Sequence, residues 1–235
     1  MNYNINEINM YLENFRPCDG TFTEDDVDDF VCSIDINKVP SFDWSTGATK
    51  LVIIPEERDY VIKIPFSGEY NHEYEEEEEG YGEFYCDNQY MDYTGAASEY
   101  GNDYCEAEEG YYQAALIDGW KDAFLPIEKI GEWHNYPIYI QPKAEMLGDE
   151  LSQRKYSSEE SRKEILSRRE GEDKYIFYNL PITWMASMLE TYGSFEKVKE
   201  LEWYLEEQAI SDLHCGNIGF YNGHAVIIDY GGWRG

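Results

Sequence analysis

Ile210-Ser211-Asp212-Leu213-His214-Cys215-Gly216-Asn217-Ile218-Gly219-Phe220, followed by Val226-Ile227-Ile228-Asp229-Tyr230-Gly231, is the stretch on which the reading of this chain turns. Asp212 and Asn217 stand five apart on a Gly-containing loop, and Asp229 closes a short apolar run twelve residues beyond Asn217. Taken singly, Asp and Asn are ordinary turn formers, and an Asp often ends a strand. Taken together, they are three hard oxygen donors, a set that suits Mg²⁺ keeping part of its water shell and bridging phosphates.

Working outward, the spacing predicts two helices just before this loop. Pro181–Tyr192 is apolar-periodic with Gly193 as its stop, and Ser194–Gln208 turns Phe195, Val198, Leu201 and Leu205 inward. A charged surface helix is expected from Ser158 to Arg168. Upstream, Ile127–Trp133 and Pro137–Gln141 read as a hairpin, as do Lys50–Pro55 and Tyr60–Phe66 around a polar turn. Tyr104–Trp120 is helical, with Cys105, Glu108, Tyr111, Tyr112 and Ala115 on one face. The N-terminal part is expected to hold two helices. One carries Ile5, Ile8, Leu12 and Phe15; the other starts at Thr23 and buries Val27, Phe30, Val31 and Ile34. The order implies an α+β protein, divided into an N-terminal helical segment (1–36), a sheet lobe (37–145) and a helical lobe (146–235). A Tyr221-Asn222-Gly223-His224 turn and a strand over Ala225–Ile228 close the chain.

The charge is distributed unevenly. The 235 residues hold 49 acids and 18 bases, a formal net charge of −31. Residues 67–110 contribute fifteen acids and no Lys or Arg, together with eight Tyr. Residues 1–36 have a net charge of −8, and so does the remainder outside both stretches. Five adjacent Glu (75–79) repel one another in any packed element, so about 67–103 is expected to be an extended acidic insertion. Such a charge disfavours direct binding to nucleic acid or to anionic lipid, and admits a basic protein partner through 67–110. With 42% hydrophobic and 16% aromatic residues the chain can build a core. No run approaches the ~20 apolar residues of a membrane span. The start lacks the basic and apolar parts of a signal peptide. Five scattered Cys without a CxxC pair read as reduced thiols. The expected location is the cytoplasm, or the host cytoplasm for a viral protein.

The combination resembles the protein kinase-like superfamily over about residues 44–231. Asp212-Leu213-His214-Cys215-Gly216-Asn217 is similar to the D-x-H-x-x-N catalytic loop of aminoglycoside and choline kinase-like phosphotransferases, and to the D-x-x-x-x-N loop of protein kinases. Asp229-Tyr230-Gly231 resembles the D-F-G magnesium loop, and Tyr60-Val61-Ile62-Lys63 the V-A-I-K strand. The chain also looks similar to compact kinase-like proteins of phages and bacteria.

The resemblance implies ATP and Mg²⁺ as ligands and a two-lobed fold. Lys63 pairs the nucleotide phosphates and is held by a helix Glu, Glu108 first and Glu109 second. Asn217 and Asp229 hold the metal, and Asp212 accepts or orients the attacking hydroxyl. The hairpin 127–141 supplies the fourth and fifth strands. Gln141, Lys143 and Ala144 lie in the hinge that meets adenine, and Gly47 lies in the phosphate-covering loop. His214 either orients Asp212 or is structural. Ser45–Thr49 offers one Gly where the family has three, and Ile210-Ser211 replaces H-R before the loop Asp. Four residues follow Gly231, so the C-terminal lobe is expected to be minimal and truncated, without an activation segment. Two functions are open at this point: phosphoryl transfer to a hydroxyl, with eight Tyr of 67–110 as candidate acceptors, or a catalytically weak scaffold. In the second case the acidic surface binds a basic partner, as a mimic of DNA phosphates does.

Overall fold

The computed structural model describes residues 3–12, 41–46, 50–65, 99–133, 136–146, 156–170, 180–210 and 213–231. These divide by their contacts into two compact units. One takes the residues up to Cys105 together with Lys129–Ile140, and the other takes Glu106–Glu128 and the residues from Gln141 onward. The class is α+β, with helices and antiparallel strand pairs.

The first unit is built on a sheet of five strands in the order β1-β2-β3-β5-β4. Its strands are β1 (Phe42–Thr46), β2 (Lys50–Pro55), β3 (Tyr60–Pro65), β4 (Glu128–Trp133) and β5 (Tyr136–Pro142). Both expected hairpins form, and Pro55 and Pro65 close their strands, where a missing N–H does least harm. β2 and β3 pair antiparallel with Leu51 opposite Ile64 and Ile53 opposite Ile62. Side chains alternate along a strand, so these four share one face. That face joins Tyr60, Tyr136, Ile138 and Ile140 in a core covered by Ile8, Tyr11 and Leu12 of α1 (Ile5–Leu12). Ile5, expected on the same stripe, is 40% exposed. A carboxylate on α1 fastens the helix: Glu7 accepts from Arg58 Nε at 2.8 Å and Nη2 at 2.9 Å. The opposite parity carries Lys63, whose register partner is Val52, and Lys50, whose partner is Pro65. Both lysines are 4% exposed, so this face is covered as well. β1, for which the sequence carries no expectation before Ser45, pairs with β2 along its whole length and makes β3 the third strand.

Helix α2 (Glu99–Asp118) follows, beginning at Glu99 rather than at Tyr104. The last residues of the expected insertion are therefore helical. Extending a helix already nucleated on its apolar face costs little, so the pattern of buried residues does not mark its start. The helix expected from Thr23 to Ile34, and 66–98 of the acidic stretch, lie outside the described residues.

The second unit combines α3 (Glu159–Glu170), α4 (Ile182–Tyr192) and α5 (Phe195–Glu207) with a sheet in the order β6-β7-β8. The strands are β6 (Glu145–Met146), β7 (Ile218–Tyr221) and β8 (His224–Ile227). The unit reaches back across residue 145, because Leu125 N donates to Ile227 O at 2.8 Å and Phe124 bridges Ile227 in parallel. Every residue of α4 from Thr183 to Leu189 is buried, which makes it the central helix. Gly193 ends it at φ 78°, a left-handed C-cap favoured by a residue without Cβ. Ser194 then caps α5 by accepting from Lys197 N, and Phe195, Val198, Leu201 and Leu205 are buried as the spacing predicts. Ser187 Oγ accepts from Ala225 N at 2.8 Å and ties α4 to β8. β7 and β8 join through Asn222 (φ 49°) and Gly223 (φ 92°), the positive pair of a tight hairpin turn.

One carboxyl on α5 opposes folding at neutral pH. Burial first, and then the Glu206 charge, push Glu202 up to about 7, against the pull of Lys199 and Arg169. A carboxyl raised in the folded state binds its proton more tightly there than in the unfolded chain. Its contribution is fully present below the unfolded value, near 4.5, and is lost as pH rises through about 7. Glu202→Gln is expected to raise stability by about 1 kcal/mol at pH 8, after discounting for solvent at a half-buried site, and by little at pH 4.5. Urea unfolding at the two pH values checks this.

Candidate functional site

The site begins on α2. Cys105, Glu108 and Ala115 are fully buried, which sets the inward face of the helix. Glu106 is exposed and Glu109 partly so, so Glu108 is the inward carboxylate, as the +3, +4 and +7 neighbours predict. A fully buried carboxylate is rare unless it has partners. After α2 and a 3₁₀ turn (Lys121–Ala123), Phe124 and Leu125 run extended beside the end of β8.

The motif loop packs against that same end of β8. Leu213 is buried, and a 3₁₀ turn spans Cys215–Asn217. His214 caps this turn: its Nδ1 accepts from Gly216 N at 2.9 Å, and its carbonyl accepts from Asn217 N at 2.9 Å. His214 thus acts locally on the turn, while its other expected role, orienting Asp212, involves a residue outside the described ones. Ile228 N then donates to Asn217 O at 2.8 Å. That bond places Asn217 beside the residue that precedes Asp229, and both site residues remain partly exposed. Gly219 lets β7 approach β6 closely, since a Cβ there would lie 2.7 Å from Ala144 Cβ and 3.3 Å from Glu145 O.

Tyr230 joins these pieces. It is 1% exposed, its ring meets Phe124 edge-on with centroids 5.0 Å apart, and its hydroxyl donates to Leu125 O at 2.7 Å. Gln141 Nε2 donates weakly to the same carbonyl, at 3.5 Å. Burial first, then the charges of Glu108, Tyr112, Asp229 and Glu109, hold the Tyr230 phenol well above its ordinary value, so it remains a donor. Gln141, Asn217 and Asp229 are thus gathered around the Leu125 peptide and the end of β8, and the charge of Glu108 on α2 acts on Tyr230. Lys143 and Ala144 follow Gln141, both partly buried. Lys63 belongs to the other unit, where it is buried on the third strand. Asp212 and Gly47 lie outside the described residues.

The donor chemistry fits a hard cation. An amide oxygen and a carboxylate on adjoining backbones, both reachable by water, suit Mg²⁺ that keeps most of its hydration. Among the described residues, no group of three or more His, Cys, Asp or Glu could hold a metal ion. The expected set does not contain such a group, as it relies on Asn217, Asp229 and the phosphates of a bound nucleotide. Cys215 is exposed and forms no disulfide among the described residues.

Scanned against protein-family models the chain matches none, and it matches none of the curated proteins. The functional reading therefore rests on residues and geometry. Two features of that geometry had no counterpart in the sequence reading. Lys50 is as buried as Lys63, yet at a strand start it looks like a solvated edge. Leu125 acts through its main chain, which leaves no mark on residue type. The role of Tyr230 had one available signal, a hydroxyl at the middle position of a D-F-G-like triplet.

Proposed function

We propose that this chain is a kinase-like ATP- and Mg²⁺-binding protein that transfers a phosphoryl group to a hydroxyl acceptor. The observation that carries the reading is the main-chain bond from Ile228 N to Asn217 O at 2.8 Å, which sets Asn217 beside the segment that carries Asp229. The resemblance requires the loop Asn and the magnesium-loop Asp to be neighbours, and it expects a buried carboxylate on the helix after the third strand, as Glu108 is. The order of elements supports the same reading: Lys63 on the third strand, then α2, then β4 and β5, with α5 leading into the loop. On this reading the five-stranded sheet belongs to the N-terminal lobe, and α3, α4 and α5 form a reduced C-terminal lobe.

Phosphoryl transfer is mainly positioning and charge stabilisation, so the roles divide accordingly. Lys63 contributes a cation to the nucleotide phosphates, and Glu108 holds that lysine. Gln141, Lys143 and Ala144 offer the edge for the base, and Gly47 covers the phosphates. Asn217 and Asp229 hold Mg²⁺, which supplies Lewis-acid neutralisation of phosphate charge. Asp212 accepts the proton of the attacking hydroxyl or orients it.

The acidic composition of 67–110 favours a second reading, a scaffold that binds a basic protein partner and transfers phosphate slowly or not at all. Thermal unfolding with and without Mg·ATP tests the shared claim. A ligand at a hundred times its Kd stabilises the folded state by about 2.7 kcal/mol. Absence of any shift overturns nucleotide binding. A shift together with label transfer from γ-labelled ATP to protein or a small alcohol supports the enzyme, and a shift without transfer supports the scaffold.

A further inference from the structure

We propose that Tyr230 is a positioning residue whose hydroxyl latches the Asp229 loop to the Leu125 carbonyl and so holds Asp229 beside Asn217. The inference rests on the nucleotide and metal reading given above. The Leu125 peptide clasps the segment twice: its N–H donates to Ile227 O at 2.8 Å, and its carbonyl accepts from Tyr230 Oη at 2.7 Å. Asp229 lies between these two anchors. A third bond, from Ile228 N to Asn217 O at 2.8 Å, fixes the same segment to the motif loop. The chain around Asp229 is thus held on two sides, and only one of the holds uses a side chain.

The ring alone does not account for a tyrosine here. A phenylalanine fills the same space against Phe124, and burying a hydroxyl without an acceptor costs free energy that the bond to Leu125 O offsets. With the hydroxyl gone, Leu125 O keeps only the long contact from Gln141 Nε2 at 3.5 Å. That donor sits in the segment the nucleotide reading assigns to the base. The Leu125 carbonyl therefore joins the base-side segment to the metal-side loop, and Tyr230 supplies its stronger bond.

The test is a Mg²⁺ titration at fixed ATP, read by thermal unfolding, for the wild type, Tyr230→Phe and Tyr204→Phe. Tyr204 is a control from the same aromatic cluster, with its ring 6.4 Å from Phe124 and its buried hydroxyl without a hydrogen-bond partner among the described residues. The Mg²⁺ concentration giving half of the nucleotide-induced shift is expected to rise about fivefold in Tyr230→Phe, the effect of one lost hydrogen bond, and to stay at the wild-type value in Tyr204→Phe. A purely structural hydroxyl lowers the melting temperature without ligand and leaves this midpoint in place, and that result overturns the proposal. A wild type that does not respond to Mg·ATP overturns the nucleotide reading itself. Amide exchange at Ile228 in the unliganded protein examines the latch apart from that reading: faster exchange in Tyr230→Phe supports it, and unchanged exchange overturns it.

Discussion

Lys63→Met is expected to remove most of the stabilisation that Mg·ATP gives the wild-type chain and, on the proposed pairing with Glu108, to make the unliganded protein less stable as well. Methionine keeps the length and much of the volume of the lysine stem, so packing on β3 is preserved. Lys63 is 4% exposed on the face of the sheet opposite the α1 core. On the proposed function Lys63 is the partner of buried Glu108, and removing one member of a buried pair leaves the other charge uncompensated, at a cost of about 3–5 kcal/mol. The ligand response is therefore read on the folded variant, below its own melting temperature. A buried cation hydrogen-bonded to phosphate is worth about 2–5 kcal/mol, so the affinity for Mg·ATP should fall about a hundredfold. Calorimetric titration or the ligand concentration at half-maximal thermal shift measures it. Lys50→Met is the decisive companion. Lys50 is equally buried and shares the parity of Lys63 across the β2–β3 register. Unchanged affinity in Lys63→Met together with a large loss in Lys50→Met moves the phosphate role to the other lysine and breaks the resemblance at its strand motif.

Much of the α+β architecture was legible where side-chain periodicity and backbone punctuation agree. β2 and β3 are bounded by prolines and a polar turn, and α4 and α5 are separated by a glycine stop and a serine cap. Glu108 was legible for the same reason, because its +3, +4 and +7 neighbours define a face and the helix buries that face. β1 escaped because Phe42-Asp43-Trp44-Ser45-Thr46 offers only two apolar positions, too few to separate a strand from a loop. β6 is two residues long and exposed, and it exists through pairing with β7 alone. The start of α2 escaped because helix elongation does not require an apolar face. The site was legible as residue types in a chemical order. The device that gathers it, the Leu125 peptide, was not, since a main-chain acceptor is the same for every residue type.

Asp229→Asn should separate stability from ligand response in opposite directions. The charges of Glu108, Glu109 and Asp229 all raise the Tyr230 phenol, so Asp229 adds to a negative local field. Like charges disfavour one another, and a bound cation relieves them. Asparagine keeps the shape of the side chain and one oxygen, and it deletes the charge. The unliganded variant should therefore unfold at the same or a higher temperature than the wild type. Its response to Mg·ATP should be lost at Mg²⁺ concentrations that saturate the wild type, because a hard divalent cation with few protein ligands depends on each charged oxygen. The expected loss of apparent Mg²⁺ affinity is about a hundredfold, of the size that one charge-assisted contact supplies. Asn217→Ala should lose less, since it removes a neutral donor, and its backbone carbonyl remains to accept from Ile228 N. A structural role for Asp229, such as ending the β8 segment, makes the opposite demand. The variant would then unfold earlier and keep its Mg·ATP response, and that outcome would remove Asp229 from the metal site. Stability traded for ligand response at this position is what a site selected for binding rather than for folding produces.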